Sequence, residues 1–441
     1  MQKITAARLA EIVGFSGKII DADIQNITTD SRKVRPGDLF VALKGDKVDG
    51  HDFAAAALKN GASLVMAERP VDGVPADRLI VVKNCLQAYG KIGAYNRQRF
   101  RGTVIGLTGS AGKTTTKEEI KFALSLFGKV YATAGNHNNQ LGVPMTLCDM
   151  DMTADYAVIE MGMSSKGEIE ELTGYVRPDI AIITNVYPMH IEFFENFEGI
   201  AEAKAEIFKG LKKGGLAIIN EDTNFAALLR QRAEENGARV LTFGRNTHPA
   251  DEPCLEKDAA EHNFYNAWCV LTLVEALGLD TARVARHLQN FAALPGRGEK
   301  SRLRLPSGGE YTLVDDSYSG QPEAMKAAIE TLSRMTCNGR KIAVLGKMAE
   351  LGTTSKERHI EIGRVVAASD IDIVIGVCPE MKDMLAQVPD TKEKHYFETK
   401  DGVAEFLLNK CLQNNDIVLI KGARYSSKLY QVTDDLKMKG K

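Results

Sequence analysis

Thr103-Val104-Ile105-Gly106-Leu107-Thr108-Gly109-Ser110-Ala111-Gly112-Lys113-Thr114-Thr115-Thr116 is the stretch that decides how this chain folds. An apolar, β-prone run, Thr103-Val104-Ile105, enters a glycine turn, and Thr116-Lys117-Glu118-Glu119-Ile120-Lys121-Phe122-Ala123-Leu124 leaves it as a helical pattern. Strand, glycine turn and helix in that order form the setting of a phosphate-binding loop. Small residues let backbone N–H groups close around phosphate oxygens, and the helix N-terminus adds partial positive charge. In that reading Lys113 reaches the β- and γ-phosphates of a nucleoside triphosphate, and the Thr114 hydroxyl sits on Mg2+. The strict spacing asks for glycine where Leu107 stands; the glycines here are Gly106 and Gly109. An ordinary glycine-rich turn is the alternative, and Gly112-Lys113-Thr114 opening a helix directly argues against it.

A length of 441 residues suggests about three domains. The apolar fraction of 44% is ample for buried cores. With 56 basic and 58 acidic residues the net charge is −2, which gives no basic footprint for nucleic acid. Seven cysteines lie far apart, none in a C-x-x-C pair, as expected of reduced thiols rather than a disulfide frame or zinc site. Met1-Gln2-Lys3-Ile4-Thr5-Ala6-Ala7-Arg8 lacks the apolar core of a signal peptide, and no run of about 18 apolar residues exists to insert in a membrane. A cytoplasmic enzyme is therefore expected, with no nucleic-acid or membrane partner.

Going outward from the glycine turn, residues 1–98 alternate short strands and helices up to a polar, basic break at Tyr95-Asn96-Arg97-Gln98-Arg99-Phe100-Arg101-Gly102. Residues 99–298 carry buried-strand runs at 103–108, 156–160, 180–184 and 216–220, separated by helical stretches, the pattern of an α/β parallel sheet. Leu294-Pro295-Gly296-Arg297-Gly298 reads as a hinge. Residues 299–441 form a third α/β unit with strands near 311–314, 342–345, 373–376 and 417–420; no G-x-G-x-x-G follows any of them, so a dinucleotide site is not supported.

Several residues outside the turn carry chemistry in principle. Glu160 ends an apolar strand, where an acidic group either holds Mg2+ or caps the next turn. His190 follows the strand at 180–184, at the sheet edge where α/β folds bind ligands, although a lone histidine is more often structural and imidazole is an unusual Mg2+ ligand. Lys204 sits one step off the apolar face formed by Ile200, Ala203 and Ile207, and by itself reads as a solvated or snorkelling lysine. Asn136, Asn138 and Asn139 cluster after a strand, where amides bind substrate or make Asx turns. Arg297 stands between two glycines, and Asp315 and Asp316 end a strand; phosphate and ribose contacts compete with plain surface charge for all three.

Together these segments resemble the Mur ligase family, ATP-dependent amide-forming enzymes of peptidoglycan precursor synthesis, over nearly the whole chain. The carriers are Thr108-Gly109-Ser110-Ala111-Gly112-Lys113-Thr114-Thr115, Gly135-Asn136-His137-Asn138-Asn139-Gln140-Leu141-Gly142-Val143-Pro144, Glu160-Met161-Gly162 with Gly167-Glu168-Ile169, and His190-Ile191-Glu192 followed by Ala201-Glu202-Ala203-Lys204-Ala205-Glu206-Ile207. Thr29-Asp30-Ser31-Arg32, residues 36–45, Asp49-Gly50-His51-Asp52-Phe53, Asp315-Asp316-Ser317-Tyr318, residues 345–352 and Lys421-Gly422-Ala423-Arg424 are similar to the branch that joins D-alanyl-D-alanine to UDP-N-acetylmuramoyl tripeptide.

The resemblance implies three domains: a UDP-sugar-peptide-binding segment at 1–98, a central P-loop ATPase-like parallel sheet at 99–298, and a Rossmann-like α/β domain receiving the dipeptide at 299–441. It implies that Gly109, Ser110, Ala111, Gly112, Lys113, Thr114 and Thr115 bind ATP, and that Thr114, Glu160, His190 and Lys204 serve two Mg2+ ions, with Lys204 carbamylated by CO2. Lys113, Lys204, His190 and Glu160 would be the catalytic set. Asn263 and Asn266 would flank adenine, and Arg297 and Asp316 would touch nucleotide. Ser31 and Arg32 would bind the UDP end of the acceptor, and Lys44, Asn136, Asn139 and Tyr318 would contact substrate. A monomer is expected. The chain departs from the family pattern at Ser319-Gly320-Gln321, where N-A-N is usual, and at Lys347, where aspartate is usual. Both departures bear on the incoming amine, so a ligase of the same architecture with a different amine or acceptor is the second reading. A nucleotide switch without ligation is the third.

Overall fold

Among the described residues, runs of Val, Ile, Leu and Ala build three larger sheets with helices packed on their buried strands, and Ile4–Thr5 pairs with Asp23–Ile24 in a small antiparallel fourth. The structure, a computed structural model, describes residues 3–45, 47–189, 191–248 and 261–440, with Ile191 described by its backbone alone. The chain folds as two compact units. One carries the N-terminal and central sheets; the other carries the C-terminal sheet together with Ser110–Thr115 and Asn185–Ile200. The class is α/β, as the sequence pattern implies.

The central sheet has six parallel strands in the order Arg239–Phe243, Leu216–Asn220, Ile180–Ile183, Thr103–Thr108, Tyr156–Glu160, Val130–Ala132. Thr103–Thr108 comes first in sequence and lies in the middle. The chain therefore winds out on one side through Val130–Ala132 and Tyr156–Glu160, then crosses to the other. Where such winding reverses, the loops leaving the carboxyl ends part and open a crevice. Gly109 starts the glycine turn from that place.

In the N-terminal sheet Asn26–Thr28, Asp38–Val41, Leu64–Ala67 and Leu79–Val81 are parallel in sequence order. In the C-terminal sheet the order is Glu299–Arg304, Glu310–Asp316, Ile417–Lys421, Lys341–Gly346, Ile373–Val377, Glu393–Phe397, with only the first strand antiparallel. Alternation along its strands feeds both faces: Ile342 and Val344 pack into one core, Ala343 and Leu345 into the opposite one.

The structure departs from the sequence expectations in three places. The basic stretch at 95–102, read as the first boundary, is mostly helical, because the helix Cys85–Arg99 runs through most of it. Asn96 and Arg97 are buried there and satisfied by backbone: the Asn96 amide donates to the carbonyls of Leu147 (2.7 Å) and Cys148 (3.2 Å), and Arg97 Nε to that of Val176 (2.8 Å). These carbonyls close the helices Gly142–Cys148 and Glu168–Val176, whose last turns lack intrahelical donors. Second, Arg239–Phe243, Glu299–Arg304 and Glu393–Phe397 are strands that composition hides, since each is a half-exposed sheet edge and the last two are rich in charge. Third, Lys204 is buried at 3% exposure, which overturns the solvated reading of that lysine taken alone. Among the described residues, no helix is long and apolar enough to cross a membrane.

Candidate nucleotide and ligation site

The glycine turn is built as a cradle. Gly112 takes φ +77°, a left-handed conformation that glycine adopts without steric cost, one residue before the helix Lys113–Leu124. The first turn of any helix leaves N–H groups without intrahelical acceptors, and these converge where a phosphate would lie. The turn is clamped from the segment after Ile180–Ile183. Asn185 accepts from the Ala111 N–H (2.8 Å) and donates to the Ala111 carbonyl (3.0 Å), and its own carbonyl accepts from the Ser110 N–H (3.1 Å). Ser110 Oγ donates to the Tyr187 carbonyl and accepts from the Tyr187 N–H. The residue type that gives one side-chain acceptor and one donor to the N–H and C=O of a single residue is an amide, so Asn185 is a positioning residue that motif reading passed over. Its signal lay in the turn Asn185-Val186-Tyr187-Pro188-Met189.

Onto this turn the structure brings Arg297. Its Nη2 donates to Thr114 Oγ1 at 3.1 Å, and its guanidinium lies 4.1 Å from the centre of the Tyr318 ring. Backbone fixes the arginine: Gly298 N–H donates to the Asp315 carbonyl, and Tyr318 N–H to that of Gly296. Arg424 approaches the same ring at 5.4 Å. Asp316 is paired with the buried Lys421 at 2.6 Å. His262, at the start of the helix Glu261–Ala276, lies within electrostatic range of both. Asn263 and Asn266 are one helical turn apart on that helix, Asn263 half-buried and Asn266 buried. Thr114, Arg297 and Tyr318 are thus brought together, while Asp316 is paired with Lys421.

Glu160 is fully buried at the end of the strand next to Thr103–Thr108. Asn138 donates to its Oε1 at 2.7 Å, and Lys117 Nζ stands 3.7 Å from its Oε2. Lys117 is itself fully buried and donates to the carbonyls of Thr133 and Gly135, each at 2.7 Å. These two partners of Glu160 were not chosen from sequence: Asn138 sat undecided among its neighbours, and Lys117 was quoted only as part of the helical run. Asn139 turns its carboxamide oxygen to the Gly142 N–H three residues on (2.9 Å), at the start of the helix Gly142–Cys148, and Asn136 is exposed. Glu206 accepts from the N–H groups of Gly167 and Glu170, capping the helix Glu168–Val176 beside the segment that carries Lys204. His190 lies outside the described residues. Among the described residues no three His, Cys, Asp or Glu side chains form a metal cage. The Glu160 carboxylate is an oxygen donor of the kind that Mg2+ takes.

In the N-terminal sheet, the turn Ser31–Lys33 and the segment with Lys44 leave the carboxyl ends of adjacent parallel strands. Arg32 is held by Asp30 through Nε and Nη2, each at 2.9 Å, and this pairing lowers the Asp30 carboxyl to about 2. Asn60 donates to the Ser31 carbonyl. Lys44 is exposed and bridges to Asp49 through backbone.

The departures in the C-terminal sheet gather in one corner. Lys347 follows the strand Lys341–Gly346 and forms an ion pair with Glu380. Its carbonyl accepts from Ala423 N–H at 3.1 Å. A Cβ at Gly320 would overlap the backbone nitrogen of Ala423, so the glycine there is a requirement of close approach. Buried His359 accepts from Met348 N–H through Nε2 (3.1 Å) while Nδ1 contacts the Ser355 carbonyl (2.7 Å).

A glycine cradle with an arginine on its first helical threonine, and three successive α/β segments, are features of an ATP-dependent ligase, and the chain belongs to the Mur ligase family. Residues 23–94 match the family's catalytic domain, residues 107–274 the Mur ligase middle domain, and residues 301–424 the glutamate ligase domain. The chain is 34% identical to UDP-N-acetylmuramoyl-tripeptide–D-alanyl-D-alanine ligase of Escherichia coli over 96% of both chains. It superimposes on crystal structure I of MurF from Acinetobacter baumannii with a TM-score of 0.88, 31% identity and 99% coverage of each chain. With MurF ligase of Thermotoga maritima in complex with ADP the TM-score is 0.80 at 30% identity, covering 94% of this chain and 96% of the other.

Proposed function

We propose that this chain joins D-alanyl-D-alanine to the terminal carboxylate of UDP-N-acetylmuramoyl tripeptide with hydrolysis of ATP to ADP and phosphate, acting as a cytoplasmic monomer in peptidoglycan precursor synthesis. The likeness to a ligase of that activity over 96% of both chains carries the reading. Segments 1–98, 99–298 and 299–441 take the acceptor, the ATP and the dipeptide respectively.

A carboxylate is a poor electrophile, so it must be activated. One acceptor oxygen attacks the γ-phosphorus, the bond to the β-phosphate oxygen breaks, and ADP leaves an acyl phosphate. The dipeptide amine then attacks the acyl carbon, phosphate departs, and the nitrogen loses a proton. Lys113 and Arg297 stabilise negative charge that spreads over the transferring group. Asn185 keeps the cradle in its phosphate-ready form before ligand arrives, which lowers the ordering cost of binding. Mg2+, when bound, supplies further charge compensation, and Thr114, Glu160, His190 and a carbamylated Lys204 are the residues that would hold two such ions. Carbamylation of the buried Lys204 would replace its ammonium with an anion able to face a cation. Lys204→Ala should lose activity that a short carboxylate partly restores; full activity without additive removes the carbamate from the scheme.

The deciding experiment is phosphate release from ATP and Mg2+ with UDP-N-acetylmuramoyl tripeptide, with and without D-alanyl-D-alanine. Release that requires both, with a product heavier by the dipeptide, is expected. Release indifferent to the dipeptide would transfer the ATP site to another amine, the outcome that the Lys347–Glu380 pair would then explain.

A further inference from the structure

At the opposite end of the strand Thr103–Thr108 from the glycine turn, Gly102 and Thr103 line a cleft of about 410 Å3. That volume lies in the range of small-ligand sites. Four cations line it, Arg97, Arg101, Arg177 and Lys212, against a single acid, Asp179. Asp179 is already saturated: its Oδ1 holds Lys212 (2.5 Å), and its Oδ2 holds the Val104 N–H (2.9 Å) and Arg97 Nη2 (3.2 Å). Arg97 is 3% exposed, and its Nε and Nη2 are spent on Val176, Arg177 and Asp179, while Nη1 has no acceptor among the described residues. Arg101 and Arg177 are exposed, and their side chains make no ion pair or hydrogen bond among the described residues.

The backbone adds a second sign. Arg177 takes φ +42° and ψ 66° just after the helix Glu168–Val176. That left-handed position is where glycine normally ends a helix, and a bulky residue there is strained. The fold thus holds an arginine in a strained position at the mouth of a cleft already rich in cations. Burial lowers the Arg97 pKa from its ordinary value, Asp179 opposes this, and repulsion from Arg177 adds to it. A bound anion would relieve that repulsion.

We propose that this cleft is a second anion site, separate from the glycine turn, which takes a phosphate-type anion on Arg97, Arg101, Arg177 and Lys212. Forked guanidinium groups match phosphate oxygens in geometry as well as in charge. Two sources share this chemistry: inorganic phosphate and diphosphate-bearing small molecules.

The test is isothermal titration of the full-length chain with inorganic phosphate and with pyrophosphate at constant ionic strength. Lys113→Ala is the reference chain, so that the glycine turn, left with its backbone donors alone, binds more weakly. One anion per chain is expected, and the tighter of the two probes identifies the source. Adding Arg177→Gly or Arg101→Gln should weaken binding at least tenfold. Glycine suits the left-handed position, and Arg101 is exposed and unpaired among the described residues, so neither change removes a structural partner. Absence of binding in the reference chain, or unchanged affinity in both added variants, overturns the proposal.

Discussion

The glycine corner at Ser110–Thr115 and the corner around Lys347 both lie where parallel strands end, yet they are held by opposite means. The first is held by backbone. Asn185 grips Ala111, Gly112 supplies a left-handed residue, and Arg297 rests on Thr114. Its shape follows from a ligand geometry that side chains can only spoil, so its residues are recognisable one by one. The second is held by exchangeable side chains. Lys347 and Glu380 neutralise each other, and Gly320 gives way to the backbone of Ala423. A charge there can change sign if its partner changes too. A corner held by backbone therefore tolerates fewer substitutions than one held by an exchangeable ion pair.

The sharpest way to break this contrast is Lys113→Ala. Loss of at least about 10²–10³-fold in ATP-dependent ligation is expected, the scale of removing one preorganised charge donor. Substantial residual turnover in a phosphate-release assay would mean that the cradle does not carry the phosphoryl step. Next comes Lys347→Asp, which sets two carboxylates side by side. A rise of about tenfold in KM for the dipeptide with KM for ATP unchanged is expected, and Lys347→Asp with Glu380→Lys should recover most of it. If the double variant is no better than the single one, the pair is not exchangeable.

The smallest effect is on stability. Burial holds the His359 imidazole below its ordinary pKa, so the folded chain keeps it neutral while the unfolded chain takes up a proton below about pH 6.5. Stability falls as pH drops through that value, by at most about 1.4 kcal/mol per pH unit from this group. Melting curves between pH 7.5 and 5.5 should show a smaller decline for His359→Gln than for the parent chain. An equal decline would place the pH sensitivity elsewhere.

Much of the architecture was legible because buried parallel strands write themselves as unbroken apolar runs. Tyr156–Glu160 and Leu216–Asn220 match their sequence spans residue for residue. The edge strands were not legible, since Glu299–Arg304 alternates charge with a single buried leucine. In the site, residues inside a motif with a backbone reason, such as Gly112 and Thr114, stood out. Lys117 and Asn185 did not. A buried lysine satisfied by two carbonyls and a carboxylate looks in sequence like any charge on an exposed helix, and only the strand ends around it reveal what it serves. Lys204 shows the same blindness, since helical spacing set it just outside the apolar face while the fold encloses it.

The helix Cys85–Arg99 has a consequence for folding cooperativity. Its last turns lend donors to the ends of two helices of the central sheet, so the seam between the first and second segments is a shared hydrogen-bonded joint. Cutting the chain at residue 98 would strip those donors from their carbonyls. The N-terminal and central sheets should therefore melt in one transition, and neither is a module that can be excised or transplanted at that seam without carrying the other.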